Sequence, residues 1–194
     1  MNLKIPNILT IGRIIVVPIF VITFFLPGMY GDLIPFFLFV GASFTDFLDG
    51  LLARMLKEES KLGELLDPIA DKILVCAALV LLVMNGIIKN YEVIAAIIIL
   101  TREILISSLR EFLAKISVAM PVTNLAKFKT FLQMFAISLL LTGEVGNKII
   151  NFEDYNAQTI GVILLWVSAF LTLYTGYGYL VKGIDHAIAE DNKN

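Results

Sequence analysis

The sequence predicts an all-α integral membrane protein with six transmembrane helices in a single domain spanning residues 1–194. Three observations predict it. The chain is 58% hydrophobic and 16% charged, where a soluble domain is about half apolar and about a quarter charged. Its mean hydropathy is +0.87. Charge-free apolar stretches recur along it, and when successive helices alternate across a bilayer the charged residues between them gather at one leaflet.

The first helix, residues 6–27, opens at Pro6, a residue suited to a first helical turn because its missing N–H would be unpaired there anyway. Its charge-free run, Ile14 to Gly31, approaches the roughly 20 apolar residues that a span needs. Lys4 followed by this run has the outline of a secretory leader, but Arg13 comes late and no small-residue cleavage pattern follows, so a retained helix is expected. The second helix, 33–56, carries Leu33–Thr45 on through two aspartates. In the third, 64–88, LDPIADK precedes the run Ile73–Ile88, and Pro68 removes one helical hydrogen bond. The fourth, 92–114, continues Val93–Thr101 through REILISSLREFL, and the fifth, 126–143, sets LAKFK before Thr130–Gly143. The sixth, 157–183, contains most of the charge-free run Tyr155–Val181. Pro27-Gly28, Asn85-Gly86 and Gly143 to Gly146 mark turns, and the polar tail EDNKN reads as frayed.

With that alternation, the charged ends of the second to fifth helices share one leaflet with Arg13. Of the 15 basic residues only Lys89 and Lys148 fall on the other side. The positive-inside rule makes the charged side cytoplasmic, with both termini there. A net charge of −2 gives a nucleic-acid partner no electrostatic support. Cys76, the lone cysteine, excludes an intramolecular disulfide and a thiolate metal cluster. His186 reads as solvated, and Trp166, Tyr174, Tyr177 and Tyr179 as packing or interfacial residues.

The stretch FTDFLDGLLAR is the anomaly. Asp46, Asp49, Gly50 and Ala53 stand at i, i+3, i+4 and i+7, one face of the second helix, with Arg54 beside them. Asp67 and Asp71 stand at i and i+4 on the third. A short KEESKLG loop makes the two helices antiparallel neighbours, so four carboxylates can meet. Each unpaired aspartate in a membrane costs about 2.5–3.5 kcal/mol on insertion scales. One reading is a buried ion-pair cluster with Arg54 and Lys72 that pins two helices. The stronger reading is a divalent-metal site: oxygen donors without nearby His or Cys suit Mg²⁺, Mn²⁺ or Ca²⁺, and two ions balance four carboxylates. Such ions beside a basic cluster suit a diphosphate substrate. Gly50 and Ala53 leave the helix surface bare, either for a flat group or for close helix packing.

These residues, with Gly63 at its spacing, match the signature of the CDP-alcohol phosphotransferases: Asp46, Asp49, Gly50, Ala53, Arg54, Gly63, Asp67 and Asp71 all fall in place, and the chain resembles that family. The resemblance implies the family fold of six transmembrane helices, a homodimer and a cytoplasm-facing site. It implies two ions, Mg²⁺ or Mn²⁺, held by Asp46, Asp49, Asp67 and Asp71. The CDP moiety would be bound around Asp46, Asp49, Gly50, Ala53, Arg54, Gly63 and Asp67. Asp71 would also be the base for the acceptor hydroxyl, a role for which reach matters more than a high pKa.

PNILTIGR, TREILISSLREF and KFKTFLQM extend the resemblance, from Pro6 to about Met134, to a bacterial branch of the family. In that branch the phosphatidyl group of CDP-diacylglycerol passes to sn-glycerol 3-phosphate, at the cytoplasmic (inner) membrane. The residues independently suit an anionic acceptor. Arg102 and Arg110 lie on one ridge of the fourth helix with Ser107 between them, Glu103 and Glu111 lie on the next ridge, and Lys127 and Lys129 open the fifth helix. Arginine binds phosphate in bidentate fashion and lysine as a point charge. The bland alternative is an Arg–Glu ladder between helices with snorkelling lysines. Asn7, Thr10 and Arg13 repeat every three residues; in the family this stripe faces the site, so Arg13 is also a candidate for phosphate.

Other acceptors remain open: inositol phosphate needs as much positive charge, serine less, and phosphatidylglycerol is a further alternative. Two other classes compete. Aromatic prenyltransferases use paired Asp motifs but resemble longer bundles without the DG-x-x-AR block. A cation transporter would carry charges near the midplane and inverted repeats. Here the charges gather at one leaflet and no repeat is visible.

Overall fold

The computed structural model describes residues 5–56, 61–115, 118, 123–152 and 155–191, with side chains at 12–45, 69–70, 72–114, 118, 123–150, 155–181 and 183–184. Within them the chain is almost wholly helical. The order is α1 (Ile5–Thr23), α2 (Met29–Leu56), α3 (Lys61–Met84), α4 (Glu92–Lys115), α5 (Asn124–Leu141), α6 (Gly143–Ile149), β1 (Asn151–Phe152), β2 (Tyr155–Asn156) and α7 (Ala157–Asp191).

Several helix ends differ from the sequence expectation, each for a local reason. α1 stops at Thr23 because Phe24, Phe25 and Leu26 donate to carbonyls three residues back, which tightens the final turn, and Gly28 then takes φ +61. α3 stops at Met84 rather than 88. Gly86, at φ +67, donates to Val83 O and Ile87 donates to Leu82 O, the paired bonds of a Schellman cap. The stretch expected as a turn from Gly143 to Gly146 instead folds as the short helix α6, followed by an antiparallel pairing of Asn151 with Asn156 and Phe152 with Tyr155. α7 runs on to Asp191, beyond the expected 183, because no proline stops it after the apolar run ends.

The chain divides into two compact units, Met1–Ile88 with Ile137–Gly161, and Lys89–Ala136 with Val162–Asn194. In the first, α1 packs along α2 and α3, and α2 touches α6. Val17, Phe20 and Phe24 form one buried face of α1; Phe20 meets Phe24 edge-on at 5.5 Å and Phe39 of α2 at 6.3 Å. Asn156 caps α7, accepting from the Thr159 N–H at 2.8 Å, and Gln158 Nε2 donates to Ile87 O at 2.8 Å. The Asp32 carboxylate accepts from the Glu144 N–H at 3.0 Å, so it ties the start of α2 to the start of α6.

Gly143 completes that tie. It takes φ +52, and a Cβ there would collide with the Asp32 carboxylate. Gly143→Ala is expected to cost about 1–2 kcal/mol from the left-handed backbone alone. That corresponds to a fall of about 2–8 °C in the thermal midpoint of the detergent-extracted protein. An unchanged midpoint would show that the tie contributes nothing.

In the second unit, Ile99, Ile106 and Leu113 form the buried side of α4, and Leu165, Ala169, Thr172 and Thr175 that of α7. Gly183 lies directly against the Leu109 side chain. Thr123 caps α5 by accepting from the Ala126 N–H at 3.2 Å, and its own N–H donates to the Tyr179 hydroxyl of α7 at 3.4 Å.

Both units enclose some polar side chains in a largely apolar interior and carry large apolar side chains on their surface. Arg13, Lys129, Gln133, Ser168 and Thr172 are buried, while Ile15, Ile22, Phe131, Phe135, Phe170 and Tyr177 are exposed. Among the described residues one helix segment, Ala157–Val181 of α7, is by itself long and apolar enough to cross a membrane. Gly12–Thr23, Met29–Thr45 and Lys72–Met84 are shorter apolar segments.

Candidate active site

The backbone delivers the helical spacing on which the carboxylate motif depends. α2 is continuous from Met29 to Leu56, so Asp46, Asp49, Gly50 and Ala53 fall on one face of its last turns. α3 is continuous from Lys61 through Pro68 to Met84, which sets Gly63, Asp67 and Asp71 one turn apart in its first three turns. Only residues 57–60 join the two helices. The side chains of Asp46, Asp49, Gly50, Ala53, Arg54, Gly63, Asp67 and Asp71 lie outside the described residues, as do those of Asn7 and Thr10. Among the described residues no group of three or more His, Cys, Asp or Glu could hold a metal.

What surrounds the motif is described. Ser43 Oγ and Thr45 Oγ1, just before Asp46, each donate to a carbonyl of their own helix at 2.8 Å, Phe39 O and Ala42 O. These hydroxyls are therefore satisfied locally. Arg13 is 3% exposed and continues the buried face of α1 that carries Val17, Phe20 and Phe24. A permanently charged guanidinium is thus enclosed in the unit that holds the aspartates. Buried charge of this kind persists only with counter-charge or hydrogen bonds around it.

The other basic candidates belong to the second unit, and the structure sorts them. Arg110 and Lys127 are exposed, and Ser107 is half-buried. Arg102 and Lys129 converge on a single carboxylate. Lys129 Nζ donates to Glu103 Oε1, and Arg102 Nη1 reaches the same oxygen at 3.4 Å. Arg102 Nη2 reaches Thr175 Oγ1 of α7 at 3.4 Å. A Cβ on Gly176 would stand 3.2 Å from Arg102 Cγ, so the glycine gives the arginine stem its room. Two cations and one carboxylate leave this cluster one net positive charge.

Glu103 and Thr175 were not among the residues singled out for the site. For Glu103 the sequence carried a signal, the Arg–Glu pattern on α4 read above as the bland alternative. The pairing with a lysine 26 residues away on α5 was not legible. For Thr175 the signal was a polar stripe, Ser168, Thr172 and Thr175 at i, i+4 and i+7, in an otherwise apolar helix. Gln133, one turn beyond Lys129 on α5, is 2% exposed, and its Oε1 has no hydrogen-bond partner among the described residues.

Comparison with known proteins gives this arrangement a context. The sequence model of the CDP-alcohol phosphatidyltransferase family matches residues 3–174. A Rickettsia typhi protein named CDP-diacylglycerol–glycerol-3-phosphate 3-phosphatidyltransferase is 46% identical over 176 residues, covering 91% of this chain and 94% of its own. Proteins of the same name from Cereibacter sphaeroides, 35% identical over 216 residues, and Yersinia enterocolitica, 36% identical over 186, cover 96% and 93% of this chain. They are themselves covered to 98% and 94%.

Proposed function

Because this chain belongs to the CDP-alcohol phosphatidyltransferase family, we propose that it transfers the phosphatidyl group of CDP-diacylglycerol to a hydroxyl of sn-glycerol 3-phosphate. The products are phosphatidylglycerophosphate and CMP, and the reaction belongs to phosphatidylglycerol synthesis. The observation that carries this reading is the shared name of relatives 35–46% identical over nearly the whole chain.

The acceptor oxygen attacks the phosphorus that bears the diacylglycerol, and the bond from that phosphorus to the CMP oxygen breaks. Asp71 takes the hydroxyl proton. Asp46, Asp49, Asp67 and Asp71 would hold divalent ions, two Mg²⁺ or Mn²⁺. An all-oxygen donor set on two helices joined by four residues suits hard cations. Bound there, such ions would neutralise charge on the diphosphate and on the departing CMP. Gly50, Ala53, Arg54 and Gly63 bind the CDP moiety together with Asp46, Asp49 and Asp67. Arg13, Arg102, Arg110, Lys127 and Lys129 supply positive charge for the acceptor phosphate, with Asn7, Thr10 and Ser107 alongside.

The protein is a membrane protein on this reading, a single catalytic domain with six spans formed by α1 to α5 and α7. Helices of 18 to 35 residues support it, since at 1.5 Å per residue the shortest is about 27 Å long, close to the hydrocarbon thickness. The apolar outer surface supports it too. The distribution of lysine and arginine supports an orientation with site and termini cytoplasmic, and the resemblance to a bacterial branch of the family supports the inner membrane. A homodimer is part of the same proposal, as the resemblance to the family implies.

An acceptor panel tests the reaction. Purified protein with CDP-diacylglycerol and Mg²⁺ or Mn²⁺ is expected to release CMP with sn-glycerol 3-phosphate. Serine, myo-inositol, inositol phosphate and phosphatidylglycerol are expected to give little turnover. Faster release with any of these reassigns the acceptor.

A further inference from the structure

We propose that Glu103 is a positioning residue for acceptor binding: it acts through Lys129 and Arg102, whose cationic heads it gathers onto one carboxylate oxygen. The inference rests on the reading of those two cations as acceptor-phosphate residues.

The cluster has a definite hierarchy. The Lys129 side chain is 2% exposed, the Arg102 side chain 13% and the Glu103 side chain 21%. Lys129 is the enclosed member, and its ammonium meets Glu103. Two cations enclosed together repel each other, the more strongly where water is scarce. One carboxylate in contact with both removes that repulsion and lets them stay charged and close. The cluster keeps one net positive charge, which remains available to an anion.

The scaffold around Glu103 is fixed on three helices. Arg102 is held on α7 by Thr175 and by the close approach of Gly176. Lys129 is held by the first turns of α5, whose cap is tied to Tyr179 of α7. Glu103 links the α4 and α5 parts of this frame, since its Oε1 meets Lys129 Nζ across helices. Arg102 Nε is buried without a hydrogen-bond partner among the described residues, so the guanidinium retains donor capacity that neither Glu103 nor Thr175 uses. A phosphate monoester is the ligand chemistry that fits a net-positive pair of guanidinium and ammonium.

Without Glu103 the cations separate, and the acceptor loses a preorganised pair while the CDP-lipid step is untouched. Glu103→Gln keeps the shape and removes the charge. It is expected to raise the KM for sn-glycerol 3-phosphate by about tenfold to a hundredfold, the factor that corresponds to losing a charged hydrogen bond. The KM for CDP-diacylglycerol and kcat at saturating acceptor should stay within about twofold, the scatter of near-neutral changes. Glu103→Asp, which keeps the charge one methylene shorter, should recover part of the loss. Lys129→Gln combined with Glu103→Gln should raise the acceptor KM by less than the product of the two single effects, because Glu103 acts in part through Lys129.

A merely structural Glu103 gives a different pattern: a lower thermal midpoint, equal losses in kcat and both KM values, and no recovery with aspartate. That pattern, or independent multiplying effects in the double variant, overturns the inference. If Glu103→Gln does not insert, the aspartate variant carries the test, and an unchanged acceptor KM there overturns it. Wild-type protein that does not use sn-glycerol 3-phosphate overturns the functional reading itself. Wild-type protein that uses it, without the KM split in Glu103→Gln, overturns only the positioning role.

Discussion

Asp71→Asn is expected to lower turnover by about 10²–10⁴-fold, the range for removing a general base. The change is close to isosteric, so the protein should still insert, and its thermal midpoint in detergent should stay near that of wild type. Asp71 is one turn past Asp67 on α3, in a helix that the structure carries unbroken from Lys61 to Met84. An amide at this position can accept a hydrogen bond but cannot take a proton. It is also a poorer ligand for a hard cation, so the loss combines base and ligand roles. The measurement is CMP release from CDP-diacylglycerol at saturating sn-glycerol 3-phosphate. Near-normal release would move the proton to another group and leave Asp71 a bystander.

Exhaustive chelation is expected to reduce activity to background, and Mg²⁺ or Mn²⁺ to restore it. Asp46, Asp49, Asp67 and Asp71 put four carboxylates on the last turns of α2 and the first turns of α3. On the proposed reading two divalent ions would balance them. With two ions required, initial rate should rise with free metal more steeply than a single-site curve. Undiminished activity after chelation would remove the metal from the proposal, and a strictly hyperbolic dependence would reduce two ions to one.

Much of the architecture was readable because charge and apolarity are segregated along the chain. The start of α2 at Met29 and the end of α3 at Met84 adjoin turn residues that the sequence displays, Pro27-Gly28 and Asn85-Gly86, and Gly86 acts where a left-handed cap was needed. The sequence misjudged the stretch after Leu141. Gly143 and Gly146 looked like a turn, yet Asp32, more than a hundred residues earlier, receives the Glu144 N–H and organises a helix there. No local pattern carries such a partner.

The proposed acceptor residues show the same division. Arg102, Arg110, Lys127 and Lys129 were all visible as cations on the fourth and fifth helices. Their burial was not, because on α5 Lys127 is exposed and Lys129, two residues on, is 1% exposed. Two positions along a helix turn a side chain by about 200°, so neighbours in sequence meet opposite surroundings.

The sequence by itself determined the helical character, the aspartate spacing and the family, because each is written in short-range periodicity and in residues fixed at set intervals. Only the tertiary structure decided that Arg102 and Lys129 share the carboxylate of Glu103, that Arg13 is enclosed, and that Thr175 and Gly176 shape the bed of Arg102. Those contacts join helices far apart in the chain. Their partners are chosen by packing and by the need to balance buried charge, which no single segment can express.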